Sequence, residues 1–141
     1  MNRIPVTIYT DGSCIGNPGP GGWAAILTCG MNEKMICGGC PKTTNNCMEL
    51  TAVCEAVLAC RKPCDITLVS DSTYVIMTGD KWTKWMKKHD FPNREVWMKF
   101  FDALKNGNHK IRYTHVYGHS GHEYNERCDL AAKEQAKKFA A

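Results

Sequence analysis

The fold is decided by Ile4-Pro5-Val6-Thr7-Ile8-Tyr9-Thr10-Asp11-Gly12-Ser13, close to the start of the chain. The residues before Asp11 are mostly β-branched and their apolar side chains alternate, which predicts a β-strand. The glycines and prolines of Asn17-Pro18-Gly19-Pro20-Gly21-Gly22 follow soon after and predict a turn. Asp11 therefore stands at the carboxyl end of the first strand, where ligand sites of α/β sheets gather.

Two more strands and a helix are predicted directly after this turn. Apolar runs over 23–27 and 34–37 flank Gly30-Met31-Asn32, a pattern typical of an antiparallel meander of three strands. Five apolar residues then follow the spacing of an amphipathic helix: Leu50, Val53, Cys54, Val57 and Leu58. An N-cap oxygen would come from Thr43, Thr44 or Asn45, and Lys62-Pro63 would end the helix.

The rest of the chain alternates helices with two strands. A short strand is predicted over 66–69, ending at Ser70-Asp71, and another over 111–116. Helices are predicted over about 72–78, 82–88, 93–104 and 126–139. Three hairpin strands followed by two strands that are reached through helices indicate an α/β fold, in which a mixed five-stranded sheet carries helices on its faces.

Length and composition indicate a single domain over residues 1–141. A chain of 141 residues, 43% of them hydrophobic, can bury a core without disulfides. The sequence shows neither an apolar run of membrane-spanning length nor an apolar signal core near Met1. We therefore expect a cytoplasmic protein.

The nine cysteines allow two interpretations. An odd number of cysteines without an export signal argues against a disulfide framework. Cys37-Gly38-Gly39-Cys40 is a CxxC pattern that could hold zinc with two more ligands from a scattered set: Cys29, Cys47, Cys60 and Cys64. The interpretation we favour is that the cysteines are small apolar side chains of the core.

Four acidic residues stand where catalysis would require them. Asp11 and Asp71 each follow a strand, so their carboxylates converge if the two strands are neighbours. Glu49 lies in the first turns of the predicted helix, and Asp129 opens the last one. Taken alone, each acid is equally consistent with a cap, a turn or a solvated helix residue.

Converging carboxylates need a cation, and hard oxygen ligands suit Mg²⁺. Two such ions about 3.5–4 Å apart can clamp the attacking and leaving oxygens of a phosphodiester.

Four blocks of sequence make this pattern specific. They are Tyr9-Thr10-Asp11-Gly12-Ser13, Thr43-Thr44-Asn45-Asn46-Cys47-Met48-Glu49-Leu50, Ser70-Asp71-Ser72-Thr73-Tyr74-Val75, and the segment from Val116 to Asp129 with its Gly118-His119-Ser120-Gly121-His122 loop. In this order they resemble the type 1 ribonuclease H family over nearly the whole chain. The resemblance implies strands in the order 3-2-1-4-5, strand 2 antiparallel and helices on both faces.

The resemblance also implies a reaction. Members of the family hydrolyse the RNA strand of RNA–DNA hybrids with two Mg²⁺ ions, Mn²⁺ being the alternative, and leave 5′-phosphate and 3′-hydroxyl ends. The family's metal-binding carboxylates fall on Asp11, Glu49, Asp71 and Asp129. His119 falls on a loop histidine thought to move a proton or to assist product release, which suits an imidazole. An ordinary surface histidine is the alternative. The expected partner is the hybrid duplex, bound by a monomer.

Substrate contacts carry over by position. Cys14, Gly16 and Asn17 match the family's RNA-side loop, and Asn45 and Asn46 match the pair that reads the minor groove. Three further positions match residues that grip a phosphate of the DNA strand: Lys42, Thr44 and Asn93.

The segment between Gly79 and Asn93 departs from the family, whose bacterial members typically carry a longer basic protrusion there. Lysines and tryptophans are interleaved in this segment: Trp82, Lys84, Trp85, Lys87 and Lys88. We expect the lysines to contact phosphates and the tryptophans to anchor the segment. A solvated lysine face above buried tryptophans is the alternative.

Two other function classes compete with this interpretation. An integrase-like strand-transfer domain has the same type of fold, but it usually shows three acidic residues and lacks the Gly-His-Ser-Gly-His loop. A binding module that had lost catalysis would lack a carboxylate, and none of the four is missing. We therefore expect a free-standing catalytic domain, with a domain of a larger polymerase as the alternative.

Overall fold

The computed structural model describes residues 2–76, 88–116 and 123–140. Its strands are β1 (Ile4–Cys14), β2 (Gly19–Cys29), β3 (Asn32–Thr43), β4 (Cys64–Ser70) and β5 (Lys110–His115). Its helices are α1 (Asn45–Ala59), α2 (Thr73–Ile76), α3 (Arg94–Asn106) and α4 (Glu123–Ala140). In the described part of the chain, no helix combines the length and the apolar character needed to cross a membrane.

The five strands form one sheet in the order β3-β2-β1-β4-β5. Strand β2 pairs antiparallel with both β1 and β3, whereas β4 runs parallel to β1 and to β5. The predicted strand order and the antiparallel second strand are therefore confirmed. Because β1 and β4 are parallel neighbours, their carboxyl ends meet at the same edge of the sheet.

Helices cover both faces of this sheet, as predicted. Ile8 of β1 points into the larger core, where it joins Val53 of α1 and Trp97 and Phe100 of α3. The opposite face carries a smaller core, in which Ala24 and Ile26 of β2 pack against Cys128 and Ala132 of α4. Small side chains on α4 and β2 allow this helix to lie close to the strands.

Several strands are longer than the sequence predicts. The sequence predicts that β1 ends at Thr10, but the strand continues to Cys14 because Gly12, Ser13 and Cys14 keep pairing with the glycine-rich start of β2. Asp11 therefore lies inside the strand rather than after it. Helix α1 ends at Ala59, before Lys62-Pro63, where the Cys60 N–H donates to the Val57 carbonyl.

The last helix begins three residues earlier than predicted, at Glu123 rather than Glu126. The added turn is held by Tyr124, whose ring stacks on Tyr9 with centroids 4.6 Å apart. Asp129 consequently lies in the second turn of α4 and does not open the helix. The helix predicted over 82–88 lies outside the described residues except for Lys88.

Candidate active site

Strand pairing brings Asp11 and Asp71 together. Tyr9 of β1 is opposite Val69 of β4, and each aspartate follows two residues later on its own chain segment. Both carboxylates therefore lie at the carboxyl edge shared by two parallel strands. This is the convergence predicted from the strand ends.

Glu49 reaches the same place because α1 lies directly on β1. Thr44 caps the helix, and its hydroxyl accepts the Cys47 N–H at 3.2 Å. A Cβ placed on Gly12 would lie 2.5 Å from the backbone nitrogen of Glu49, so only glycine permits this approach. The N-terminal part of α1 thereby delivers the Glu49 carboxylate to Asp11.

Three carboxylates meet at this edge. One oxygen each of Asp11, Glu49 and Asp71 lie within 4.8 Å of one another. Burial, followed by the charge of Asp71, raises the pKa of Asp11 to about 7. Burial and the charges of Asp11 and Asp71 raise the pKa of Glu49 well above its ordinary value. Like charges at this spacing resist full ionisation unless a cation compensates them.

The fourth acidic residue, Asp129, contributes from the other face of the sheet. Its carboxyl is close enough to that of Asp11 to help raise the pKa of Asp11, but it lies outside the set of three. Its Oδ2 is also 2.9 Å from the Lys133 ammonium, one turn further along α4. Helix α4 can come this close because Gly22 has no side chain. A Cβ at this position would lie only 2.1 Å from the Ala132 carbonyl oxygen.

The donor set fits a hard divalent cation. Oε2 of Glu49 is shielded from solvent and has no hydrogen-bond partner among the described residues. Carboxylate oxygens converging in this way suit Mg²⁺ or Mn²⁺ rather than a metal that prefers sulfur. Among residues 2–76, 88–116 and 123–140, this is the one group of three or more potential ligands at such spacing.

The cysteines of the CxxC pattern lie on β3, away from such a group. Cys37 is exposed and its sulfur accepts a hydrogen bond from the Gln135 amide at 3.5 Å. The Cys40 thiol donates to the Lys42 carbonyl at 3.4 Å.

The predicted RNA-side loop is tied to the start of α1. Oδ1 of Asn17 accepts the backbone N–H of Asn45 at 2.9 Å. The Cys14 thiol donates to the Thr43 carbonyl at 3.3 Å. Gly16 has a φ of +83°, the left-handed conformation that glycine adopts readily, and so allows the turn before Asn17. The loop and the asparagines of α1 thus form one continuous surface.

The remaining predicted substrate residues divide into described and undescribed ones. Lys42, Thr44 and Asn46 are exposed around the start of α1, and Lys88 is exposed further along the chain. Asn93 is half-buried at the start of α3, where its amide nitrogen donates to the Tyr74 hydroxyl at 3.2 Å. Five predicted residues lie outside the described part of the chain: Trp82, Lys84, Trp85, Lys87 and His119.

Comparison with known proteins agrees with this geometry. The family model for RNase H matches residues 3–137. The chain belongs to the RNase H family. It is 45% identical over 149 residues to the Ribonuclease H of Nitratidesulfovibrio vulgaris strain DP4, covering 98% of this chain and 93% of the relative. It is therefore an enzyme of a metal-dependent endoribonuclease family.

Solved RNase H structures share the fold. LC9-RNase H1, described as a type 1 RNase H with the type 2 active-site motif, superposes with a TM-score of 0.85 at 26% identity, covering 99% of this chain and 75% of that one. LC11-RNase H1, solved in complex with an RNA/DNA hybrid, superposes with a TM-score of 0.77 at 22% identity, covering 96% and 99% of the two chains.

Four features of this RNase H site were not predicted from the sequence. The close approach of α1 at Gly12 and of α4 at Gly22 gives no periodic signal, because each depends on a contact between distant segments. Lys133 was detectable, since it stands four residues after Asp129 on a helix, the spacing of an ion pair. Tyr74, which contacts Asn93, belongs to the second aspartate motif, but its position there does not predict that contact.

Proposed function

We propose that this RNase H cleaves the RNA strand of RNA–DNA hybrids internally, by a two-metal-ion mechanism that leaves 5′-phosphate and 3′-hydroxyl ends. The observation that carries the proposal is the convergence of Asp11, Glu49 and Asp71 within 4.8 Å at the edge of the sheet. The hybrid bound to LC11-RNase H1, a protein of the same fold, supports this choice of substrate.

The carboxylates would hold two Mg²⁺ ions, with Mn²⁺ as the alternative. Asp11, Glu49 and Asp71 supply the central donors, and Asp129 completes the set from α4. When bound, the metal would activate water and neutralise charge that develops on the phosphate. The residues themselves would set where the phosphate lies, because β1, α1, α4 and the segment after β4 that carry them lie close together. His119 would move a proton during turnover.

Substrate recognition would follow from the surface around the start of α1. Asn17, Asn45 and Asn46, beside Cys14 and Gly16, would read the minor groove and the RNA 2′-hydroxyls. The DNA strand would be held through a phosphate by a separate group: Lys42, Thr44 and Asn93. The basic segment would add phosphate contacts through Trp82, Lys84, Trp85, Lys87 and Lys88.

We further propose that residues 1–141 act as one catalytic domain, that the protein is a monomer, and that it works in the cytoplasm. The family match over residues 3–137 supports the single domain. Sedimentation equilibrium of the purified chain tests the monomer directly.

Cleavage of an end-labelled hybrid tests the proposal. The hybrid is incubated with Mg²⁺, with Mn²⁺ and with EDTA, beside single-stranded RNA, double-stranded RNA and double-stranded DNA. We expect internal cuts in the RNA strand of the hybrid alone, only with metal, and products that ligate as 5′-phosphates. Cleavage in EDTA, or equal cleavage of double-stranded DNA, would contradict it. Binding of the hybrid without cleavage would favour the binding-module alternative.

A further inference from the structure

One tyrosine hydroxyl joins the buried core to the start of α3. The Tyr74 hydroxyl accepts the indole N–H of Trp97 at 2.8 Å and the amide N–H of Asn93 at 3.2 Å. A phenol oxygen has two acceptor positions, and these two bonds use both. Tyr74 itself lies on α2, three residues after Asp71.

The core side of this link is rigid. Trp97 is 1% exposed. Its ring stacks on Phe101 at 5.9 Å and meets Phe100 edge-on at 6.0 Å. The Tyr74 ring packs against the same indole with centroids 5.4 Å apart. The position of the hydroxyl is therefore set by packed aromatic rings and not by solvent.

The other side of the link has an unusual helix start. Asn93 is the N-cap of α3, but its backbone is left-handed with a φ of 64° and its side chain makes no capping hydrogen bond. An N-cap asparagine normally accepts a backbone N–H of the first turn. Here the carboxamide turns to Tyr74 instead. Within the described residues, its second N–H and its oxygen have no assigned partner, so a donor remains for a ligand.

We propose that Tyr74 is a positioning residue for the substrate. Its hydroxyl holds the Asn93 carboxamide so that the second amide N–H binds a phosphate of the DNA strand. This inference rests on the proposed function, because it assumes a bound hybrid. It assigns Tyr74 a role in substrate affinity and none in the chemical step.

A double-mutant cycle tests this role. Tyr74→Phe, Asn93→Ala and the double variant are compared with the wild type. Binding of a fluorescent hybrid is followed by anisotropy in the Asp71→Asn background, and steady-state cleavage is followed in the active background. A hydrogen bond of ordinary net strength corresponds to about twofold to tenfold in affinity. We expect each single variant to raise Kd and KM by that factor with kcat unchanged.

The decisive result is the double variant. If Tyr74 acts through Asn93, removing its hydroxyl in the Asn93→Ala background should have no further effect on Kd. The salt dependence of binding should also stay unchanged, because no charge is removed. Additive losses would overturn the inference, as would a fall in kcat at constant KM or an unchanged Kd in either single variant.

A stability control separates positioning from loosening of the core. Loss of the hydroxyl leaves the Trp97 N–H without its partner, so Tyr74→Phe should also lower the melting temperature. Val57→Ala truncates another buried side chain of the same core, on α1. We expect it to lower the melting temperature while Kd and KM stay at the wild-type values. An equal rise in KM in this control would overturn the role of Tyr74. Failure of the wild type to bind or cut the hybrid would instead contradict the proposed function.

Discussion

The two ends of the sheet both gather titratable side chains, but of different chemistry. At the carboxyl end of β1 and β4, three carboxylates converge. At the opposite end, Cys29, Cys60 and Cys64 line one groove, where β2 ends and β4 begins. Nothing in the number of groups distinguishes these clusters, so the difference must come from what each group does near neutral pH.

Burial raises the pKa in both clusters, but the consequence for ionisation near neutral pH differs. Burial raises the pKa of the Cys60 thiol to about 12, so the thiol stays neutral at physiological pH. Its proton is used in a hydrogen bond to the Ala56 carbonyl at 3.5 Å, and the Cys64 thiol bonds the Lys62 carbonyl at 3.1 Å. The pKa of Asp11 rises only to about 7, where the carboxyl ionises under working conditions. A buried cluster therefore indicates a cation site when its charged form is populated near neutral pH.

Removing one carboxylate should have the largest effect. In Asp71→Asn, one charged metal ligand becomes a neutral amide of the same shape. Outer-shell changes at metal sites usually cost about 10–100-fold, so loss of a ligand should lower kcat/KM by more than about 100-fold. Hybrid cleavage with saturating Mg²⁺ measures this. Circular dichroism and thermal melting show whether the fold is kept, and wild-type turnover by a folded variant would contradict the assignment.

Stability without metal should depend on pH through the same cluster. Since the folded pKa of Asp11 is raised from its ordinary value, the protonated form is favoured by folding. Its contribution is complete below about pH 4 and is lost as the pH rises through 7. The full linkage for this pKa would be about 4 kcal/mol, and sharing of protons with neighbouring carboxyls lowers the expected loss to about 2 kcal/mol.

Urea unfolding in EDTA from pH 4 to 8 measures this dependence. Asp11→Asn is the matched control, and the difference between wild type and variant isolates the aspartate. We expect the free energy of unfolding of the wild type to fall relative to the variant as the pH rises. Added Mg²⁺ at pH 7.5 should restore it. If the free energies of unfolding of the wild type and the variant differ by the same amount at every pH, the carboxylates of the cluster do not repel one another.

These two predictions separate what the sequence could reveal from what it could not. Asp11 and Asp71 could be placed together because the sequence predicts a strand before each of them, and parallel neighbours end at one edge. The position of Glu49 could not be derived in the same way, because it depends on how closely α1 approaches Gly12 across the sheet. The resemblance to a family supplied Glu49 and Asp129 by position. The early start of α4 escaped the pattern because a ring contact between Tyr124 and Tyr9 decides it.

The thiol end should tolerate substitution much better. Cys64 is 4% exposed at the start of β4, and Cys64→Ala removes only one buried sulfur. We expect a loss of about 1 kcal/mol in the free energy of unfolding, from the small cavity, with kcat/KM unchanged. Chemical denaturation and hybrid cleavage measure the two quantities. A zinc assay on the denatured wild type completes the test. Stoichiometric zinc would show that this cluster is a metal site, and a tenfold loss of activity would show that it takes part in function.

The smallest effect concerns Lys133, whose ammonium contacts a carboxylate at this end of the sheet. The Lys133 Nζ lies 2.9 Å from the Asp129 Oδ2, and the two side chains are 54% and 36% exposed. A divalent ion that binds Asp129 must compete with this ammonium. Lys133→Gln should therefore tighten binding of Mn²⁺ by about twofold to fivefold, the scale of an exposed ion pair. Isothermal titration calorimetry measures it on the protein without substrate. Lys133→Arg keeps the charge and should retain the wild-type affinity, and Lys137→Gln removes a lysine one turn further along α4 as a control for net charge. Weaker binding in Lys133→Gln would mean that the lysine orients Asp129 for the metal instead of competing with it.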